Sequence, residues 1–187
     1  CVKAYKLLHA SSSLPGVRIY LHKIIPMGAG LGGGSSDATY TLKLLNVLFD
    51  LKLSVDQLKE YALILGSDCP LFVSEQPQYA EGRGELLSQV NVDLKGKYLL
   101  IINPKTHIST AEAFANISPE ESKSCKRIAE KDVCFWKTNL GNDFEKSVFP
   151  NHPELLDIKE KLYSMGADYA AMSGSGSTMF GIFSDPI

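Results

Sequence analysis

Apolar and polar residues alternate from Val17 through Lys23 in the stretch Val17-Arg-Ile-Tyr-Leu-His-Lys-Ile-Ile25. That is the period of a half-buried strand. Pro26 stops the run, and a glycine-rich stretch follows. From Asp37 to Asp50 the period changes to that of a helix, with Ala38, Leu42, Leu45 and Phe49 on one face and Ser35 or Ser36 placed to cap its start. Ser54-Val-Asp-Gln57 has the form of a capping box and opens a second helix, which Gly66 ends. Asp68-Cys-Pro70 reads as a tight connection into a short strand at Leu71–Val73. The segment Gln76–Gly84 is turn-rich, with Gly82-Arg-Gly84 as a hairpin or loop, and this region predicts the boundary between a domain over 1–88 and a domain over 89–187.

Further on, Tyr98–Ile102 is a continuous apolar strand closed by Asn103-Pro104. Ser109-x-x-Glu112 resembles a capping box and opens a short helix containing Phe114. Residues 118–138 are rich in charge and carry little pattern; Glu120–Lys131 reads as a solvated helix or loop. A helix from Pro153 to Met165 puts Leu155, Ile158, Leu162 and Met165 on one face, and Gly166 ends it. A strand at Tyr169–Met172, the loop Ser173-Gly-Ser-Gly-Ser177 and a strand at Thr178–Phe183 complete the chain. The fold class is α+β.

Composition narrows the function classes. The 187 residues are 44% hydrophobic and carry a net charge of −2, enough for a sizeable core and contrary to the basic surplus of a nucleic-acid binder. No apolar run is long enough to cross a bilayer, and no signal peptide is visible. The expectation is a cytoplasmic protein with no membrane partner. Cys1, Cys69, Cys125 and Cys134 form no C-x-x-C pair and stand beside no histidines at ligand spacing, which argues against zinc and for reduced thiols.

Gly28-Ala-Gly-Leu-Gly-Gly-Gly-Ser-Ser-Asp37 carries the most chemistry. Glycines let a ligand approach the backbone closely, and the helix that follows offers free N–H groups and a positive dipole end to an anion. The hydroxyls of Ser35 and Ser36 add donors or metal-facing oxygens. A flexible loop before a capped helix is the plainer reading. Gly28-Ala-Gly30-Leu-Gly-Gly33 matches the dinucleotide pattern G-x-G-x-x-G, but the strand before it alternates and no acidic residue closes a strand about twenty positions later. The P-loop pattern fails because Gly34 stands where its lysine belongs. Positive charge on bound phosphates must then come from a metal ion or from elsewhere in the protein.

Pro26-Met-Gly-Ala-Gly-Leu-Gly-Gly-Gly-Ser-Ser-Asp-Ala38 resembles the phosphate loop of the GHMP kinases. The Gly-Gly-Gly-Ser-Ser form is most similar to members that phosphorylate a cytidine diphosphate-linked polyol on the non-mevalonate route to isoprenoids. Further similarity follows in the same order at Leu65-Gly-Ser-Asp-Cys-Pro-Leu-Phe-Val73, Ala80-Glu-Gly-Arg-Gly-Glu85, Asn103-Pro-Lys-Thr-His-Ile-Ser-Thr-Ala-Glu-Ala-Phe114, Asn142-Asp-Phe144 and Met172-Ser-Gly-Ser-Gly-Ser-Thr178. The resemblance implies an N-terminal part like ribosomal protein S5 domain 2, followed by a ferredoxin-like C-terminal domain.

It also implies ATP and Mg²⁺ as cofactors, and an ATP-dependent transfer of phosphate to a small-molecule alcohol. Pro26, Met27, Gly28, Ala29, Gly30, Leu31, Gly32, Gly33, Gly34, Ser35 and Ser36 would bind ATP, with Ser36 one contact for the metal. Asp68 would be the base, although on pattern alone it is equally a turn or cap residue. Phe114 would stack on the pyrimidine, or else pack in a core. Thr110 would touch the base or cap its helix. Gly174 and Ser175 would bind substrate in a second glycine loop, for which a plain β-turn is the alternative. His22 is given no role.

By the same resemblance, the chain starts about a third of the way into the family's first domain and stops shortly before the family's end. The family's catalytic lysine would then lie outside it. Mevalonate, homoserine and sugar kinases, a fragment that only binds nucleotide, and most remotely a dinucleotide-dependent oxidoreductase are the competing readings. A monomer or a homodimer is compatible with all of them.

Overall fold

The computed structural model describes residues 1–115, 117 and 125–187. The part of the charged cluster at 120–124 lies outside the described residues. The chain divides into two compact units. The first comprises Cys1–Met27 and Gly32–Gln89, the second Gly28–Leu31 and Val90–Ile187.

The first unit is built on α1 (Val2–Ser12), α2 (Gly33–Leu48) and α3 (Val55–Leu65), followed by a 3-10 turn at Cys69–Phe72 and the hairpin β1 (Gln78–Glu81) and β2 (Leu86–Gln89). Ala4 and Leu8 from α1, Leu42 and Leu45 from α2, Leu58 and Ala62 from α3, and Cys69 and Val73 after the turn make one core. Leu8 and Leu42 are fully buried; truncating either to alanine would cost about 2–5 kcal/mol. Ser54 and Gln57 form the expected reciprocal capping box at α3.

Three sequence expectations fail here. Val17–Ile25 forms no strand, and Tyr20, Leu21 and Ile24 are exposed. Alternation fixes which side chains share a face, but a strand also needs a neighbour for its N–H and C=O groups. Among the described residues no strand pairs with this segment. Leu71–Val73 is not a strand either; the tight connection at Asp68-Cys-Pro70 runs on as 3-10 helix over Cys69–Phe72. Lastly, α2 starts at Gly33 rather than Asp37, so Ser35 and Ser36 lie within its first turns instead of capping it. That helix also carries a second apolar stripe, Tyr40, Leu44, Val47 and Leu48, that is exposed. Helix α1 was not legible as an element, although Ala4, Tyr5 and Leu8 already share a face.

The second unit holds an antiparallel sheet of β3 (Tyr98–Ile102), β4 (Tyr169–Met172) and β5 (Met179–Phe183) in the order β3-β5-β4. Short helices α4 (Thr110–Phe114), α5 (Cys125–Ala129), α6 (Val133–Asn139) and α7 (Asp143–Val148) precede α8 (Pro153–Ser164). All of β4 is buried because α8 and α6 pack on its two faces. Ala170, Met172, Met179 and Phe183 pack with Leu155 and Leu162 of α8. Tyr169, Ala171 and Ile182 pack with Val133 and Trp136 of α6. The α+β class therefore holds.

Candidate active site

In the first unit, the glycine run becomes the start of a helix. Gly32 is the N-cap of α2 with φ of 63°, a left-handed value that suits glycine. No side chain caps α2, and its first turn carries no acidic residue. Among the described residues, none of the N–H groups from Gly30 to Ser35 finds an acceptor; the first bond is from Ser36 N–H to Gly32 O at 2.9 Å. A helix start with unmet donors and its dipole intact is suited to an anion.

Lys23 brings a cation to this point. Its ammonium lies 2.6 Å from Asp37 Oδ2 and would be 2.9 Å from a Cβ on Gly33. Together with His22, Ile24, Ile25 and Ser36 these residues line one cavity. Sequence reasoning left Lys23 among strand residues; its place three positions before Pro26 was the available signal.

Asp68 opens the 3-10 turn and is exposed. Its carboxylate caps no backbone N–H; Ser67 Oγ donates to it at 3.5 Å, and Gly84 lies alongside. Two contacts tie this turn to α2. The buried Thr39 hydroxyl donates to Cys69 O at 2.8 Å, and the Phe72 ring fills the space beside Gly32, where a Cβ would come within 2.9 Å of it. Gly32 and Asp68 thus both adjoin the 3-10 turn.

In the second unit, Gly28–Leu31 packs against Ser173–Thr178. Ser173 Oγ donates to Gly30 O at 2.8 Å, and Thr178 N–H donates to Ala29 O at 3.3 Å. A Cβ on Gly30 would stand 2.1 Å from Ser173 O, and one on Gly174 would stand 3.1 Å from Gly30 O. Glycine is required at the first of these positions by contact alone. Gly174 is exposed with φ of 55°, and Ser175 is half-buried.

Phe114 is 58% exposed, so it does not serve as core. Its ring meets Phe144 edge-on at 4.8 Å between centroids, which leaves a face open for a second ring. Thr110 is exposed on the same helix, but the cap is Ser109, whose hydroxyl accepts from Glu112 N–H at 3.1 Å. Glu112 is held in turn by His152 at 2.9 Å, a contact between residues 40 positions apart that sequence reading did not find.

Hydroxyls and a carboxylate are hard oxygen donors of the kind Mg²⁺ takes. Among the described residues no group of three or more His, Cys, Asp or Glu could hold a metal, so an ion here would draw most of its ligands from phosphates and water. All four cysteines are free. No helix among the described residues is long and apolar enough to cross a membrane.

Residues 1–76 match the GHMP kinases N terminal domain, and residues 134–186 match the GHMP kinases C terminal domain. A 4-diphosphocytidyl-2-C-methyl-D-erythritol kinase of Bacteroides fragilis is 53% identical over 184 residues, 98% of this chain and 67% of the relative. The chain belongs to the GHMP kinase family. A crystal structure of a 4-(cytidine 5'-diphospho)-2C-methyl-D-erythritol kinase superposes with a TM-score of 0.83 at 31% identity, over 96% of this chain and 67% of that one. Homoserine kinase from Cytophaga hutchinsonii shares the GHMP kinase fold, with a TM-score of 0.70 at 18% identity over 87% of this chain and 59% of that one. The chain thus spans about two thirds of the length of the curated relative it matches. GHMP kinases are small-molecule kinases and use ATP.

Proposed function

We propose that this GHMP kinase transfers the γ-phosphate of ATP to the 2-hydroxyl of 4-diphosphocytidyl-2-C-methyl-D-erythritol, in isoprenoid precursor synthesis in the cytoplasm. The observation that carries this reading is the row of unmet N–H groups from Gly30 to Ser35 at the uncapped start of α2, in a chain so similar to kinases of that name.

In this mechanism Gly28–Ser35 bind the β- and γ-phosphates through backbone N–H groups and Ser36 through its hydroxyl, with Pro26 and Met27 completing the ATP site. Lys23, paired with Asp37, stands beside Gly33 and would supply ammonium donors to the phosphates. Transfer of a phosphoryl group needs positioning and charge stabilisation more than covalent chemistry. Asp68 takes the proton from the substrate hydroxyl as its oxygen bonds to the γ-phosphorus and the bond to the ADP oxygen breaks. Mg²⁺ would be held by the Ser36 hydroxyl and phosphate oxygens, and would neutralise phosphate charge. Phe114 stacks on cytosine and Thr110 contacts it, while Gly174 and Ser175 bind the substrate. We assign 1–88 to the ATP-binding domain and 89–187 to the C-terminal domain.

The test is ADP release, measured with a panel of cytidine-linked polyols, mevalonate and homoserine. Turnover with the cytidine-linked polyol alone is expected, with Asp68→Asn lowering kcat by about 10²-fold or more. Turnover only with an unlinked alcohol would overturn the substrate, and an Asp68→Asn protein with unchanged kcat would remove the base.

A further inference from the structure

Asn142 stands at the N-cap of α7, and its side-chain amide makes three hydrogen bonds. Oδ1 accepts from Phe144 N–H at 3.0 Å and closes the start of the helix. Nδ2 donates to Met172 O and to Gly174 O, both at 2.8 Å. Three residues along, Glu145 Oε1 accepts from Met172 N–H at 2.8 Å while Oε2 pairs with Lys159. The last residue of β4 is thus gripped by α7 at both its N–H and its C=O, and the Gly174 carbonyl is fixed beyond it.

The grip continues into the first glycine loop. Ser173, between the two carbonyls that Asn142 holds, donates its hydroxyl to Gly30 O at 2.8 Å. Capping α7 requires only an acceptor, which serine, threonine or aspartate would supply equally well. Only a side-chain amide adds two N–H donors to that acceptor, and here both donors go to the second loop. Aspartate would turn a charged oxygen toward two carbonyl oxygens. The identity of residue 142 follows from the loop rather than from the helix.

We infer that Asn142 is a positioning residue for the nucleotide: by fixing Ser173 and Gly174 it sets the Gly30 carbonyl, and with it the Leu31 amide of the same peptide plane. This rests on the reading of the loop as a phosphate cradle. Asn142 touches no ligand in this role; it acts through Ser173.

The test uses Asn142→Ser, which keeps an N-cap oxygen and deletes both donors. Ser173→Ala breaks only the final link. Binding of the ATP analogue AMP-PNP with magnesium, and separately of cytidine diphosphate, is followed by calorimetry, and the backbone amides by NMR. Asn142→Ser should weaken AMP-PNP about tenfold or more, weaken cytidine diphosphate by a smaller factor through Gly174, and shift the Gly30 and Leu31 amide resonances. Ser173→Ala should weaken AMP-PNP in the same direction with the Gly174 resonance in place. Unchanged AMP-PNP affinity in Asn142→Ser overturns the inference, as does an equal loss for both ligands. If the unsubstituted protein binds no AMP-PNP, the phosphate-cradle reading itself fails. The spectra then decide on Asn142 alone: shifts that reach Gly30 support it, and shifts that end at Gly174 overturn it.

Discussion

Substituting Gly34 tests whether this glycine is kept for a ligand or for the fold. It is the second residue of α2, and among the described residues a Cβ built on it meets nothing within 4 Å beyond its chain neighbours and its own helix backbone. Within the chain, then, Gly34→Ala has nothing to displace. Alanine in a helix is favoured over glycine by about 0.5–1 kcal/mol. For a protein of this length that converts to a melting temperature raised by about 1–4 °C. The added methyl group would nevertheless occupy the approach to the unmet amides of Gly33, Gly34 and Ser35. A phosphate oxygen needs about 2.9 Å to such an N–H donor and has no room for a methyl group beside it. AMP-PNP affinity should therefore fall at least about tenfold, or 1.4 kcal/mol, in a protein no less stable than before. Scanning fluorimetry and calorimetry on the same sample separate the two effects. A melting temperature lowered by several degrees would mean that Gly34 serves packing. Unchanged affinity would refute the claim that phosphate lies against these amides.

Gly30→Ala should behave in the opposite way. With φ of 76° and a Cβ that would stand 2.1 Å from Ser173 O, it carries at least the left-handed penalty of about 1–2 kcal/mol, and thermal melting should show a clear fall. Thr39→Val keeps shape but leaves the Cys69 carbonyl without its 2.8 Å donor; urea unfolding should report a loss of about 1–3 kcal/mol, with reduced turnover if Asp68 loses its setting. The hydrogen bond to the Asp132 carboxylate, followed by desolvation, holds the Cys134 thiol above its usual pKa. Thiolate is therefore scarcer at a given pH, and Asp132→Asn, which still caps α6, should speed alkylation of Cys134 by iodoacetamide near pH 8.

Legibility in the sequence followed the range of the interactions. The Ser54–Gln57 box and α8 with Leu155 and Leu162 inward depend on neighbours a few positions apart, and each formed where the pattern put it; the strands at Tyr98–Ile102 and Tyr169–Met172 formed too, because β5 pairs with both. The segment Val17–Ile25 did not, because pairing depends on a strand that its own residues cannot specify. The start of α2 moved into the glycine run because Gly32 accepts the left-handed cap that a serine would resist. In the candidate site, the glycine loop and Asp68 stood out by residue type. Lys23 and Asn142 did not: a lysine in an alternating run and an asparagine before a helix have ordinary explanations. Only the contacts to Asp37, Met172 and Gly174 give them others.

The assignment of Gly28–Leu31 to the second unit bears on the order in which the protein becomes complete. These four residues are made early, yet the oxygen of Gly30 is met by a hydroxyl 143 positions later. At about 5–20 residues per second during synthesis, the first half of the loop waits about 7–29 s for its partner. Closing so long a loop costs only slightly more entropy than closing a shorter one, so the delay falls on time rather than on equilibrium. A ribosome-bound chain that ends before Ser173 would carry the glycine motif in full and hold its first half in no fixed shape.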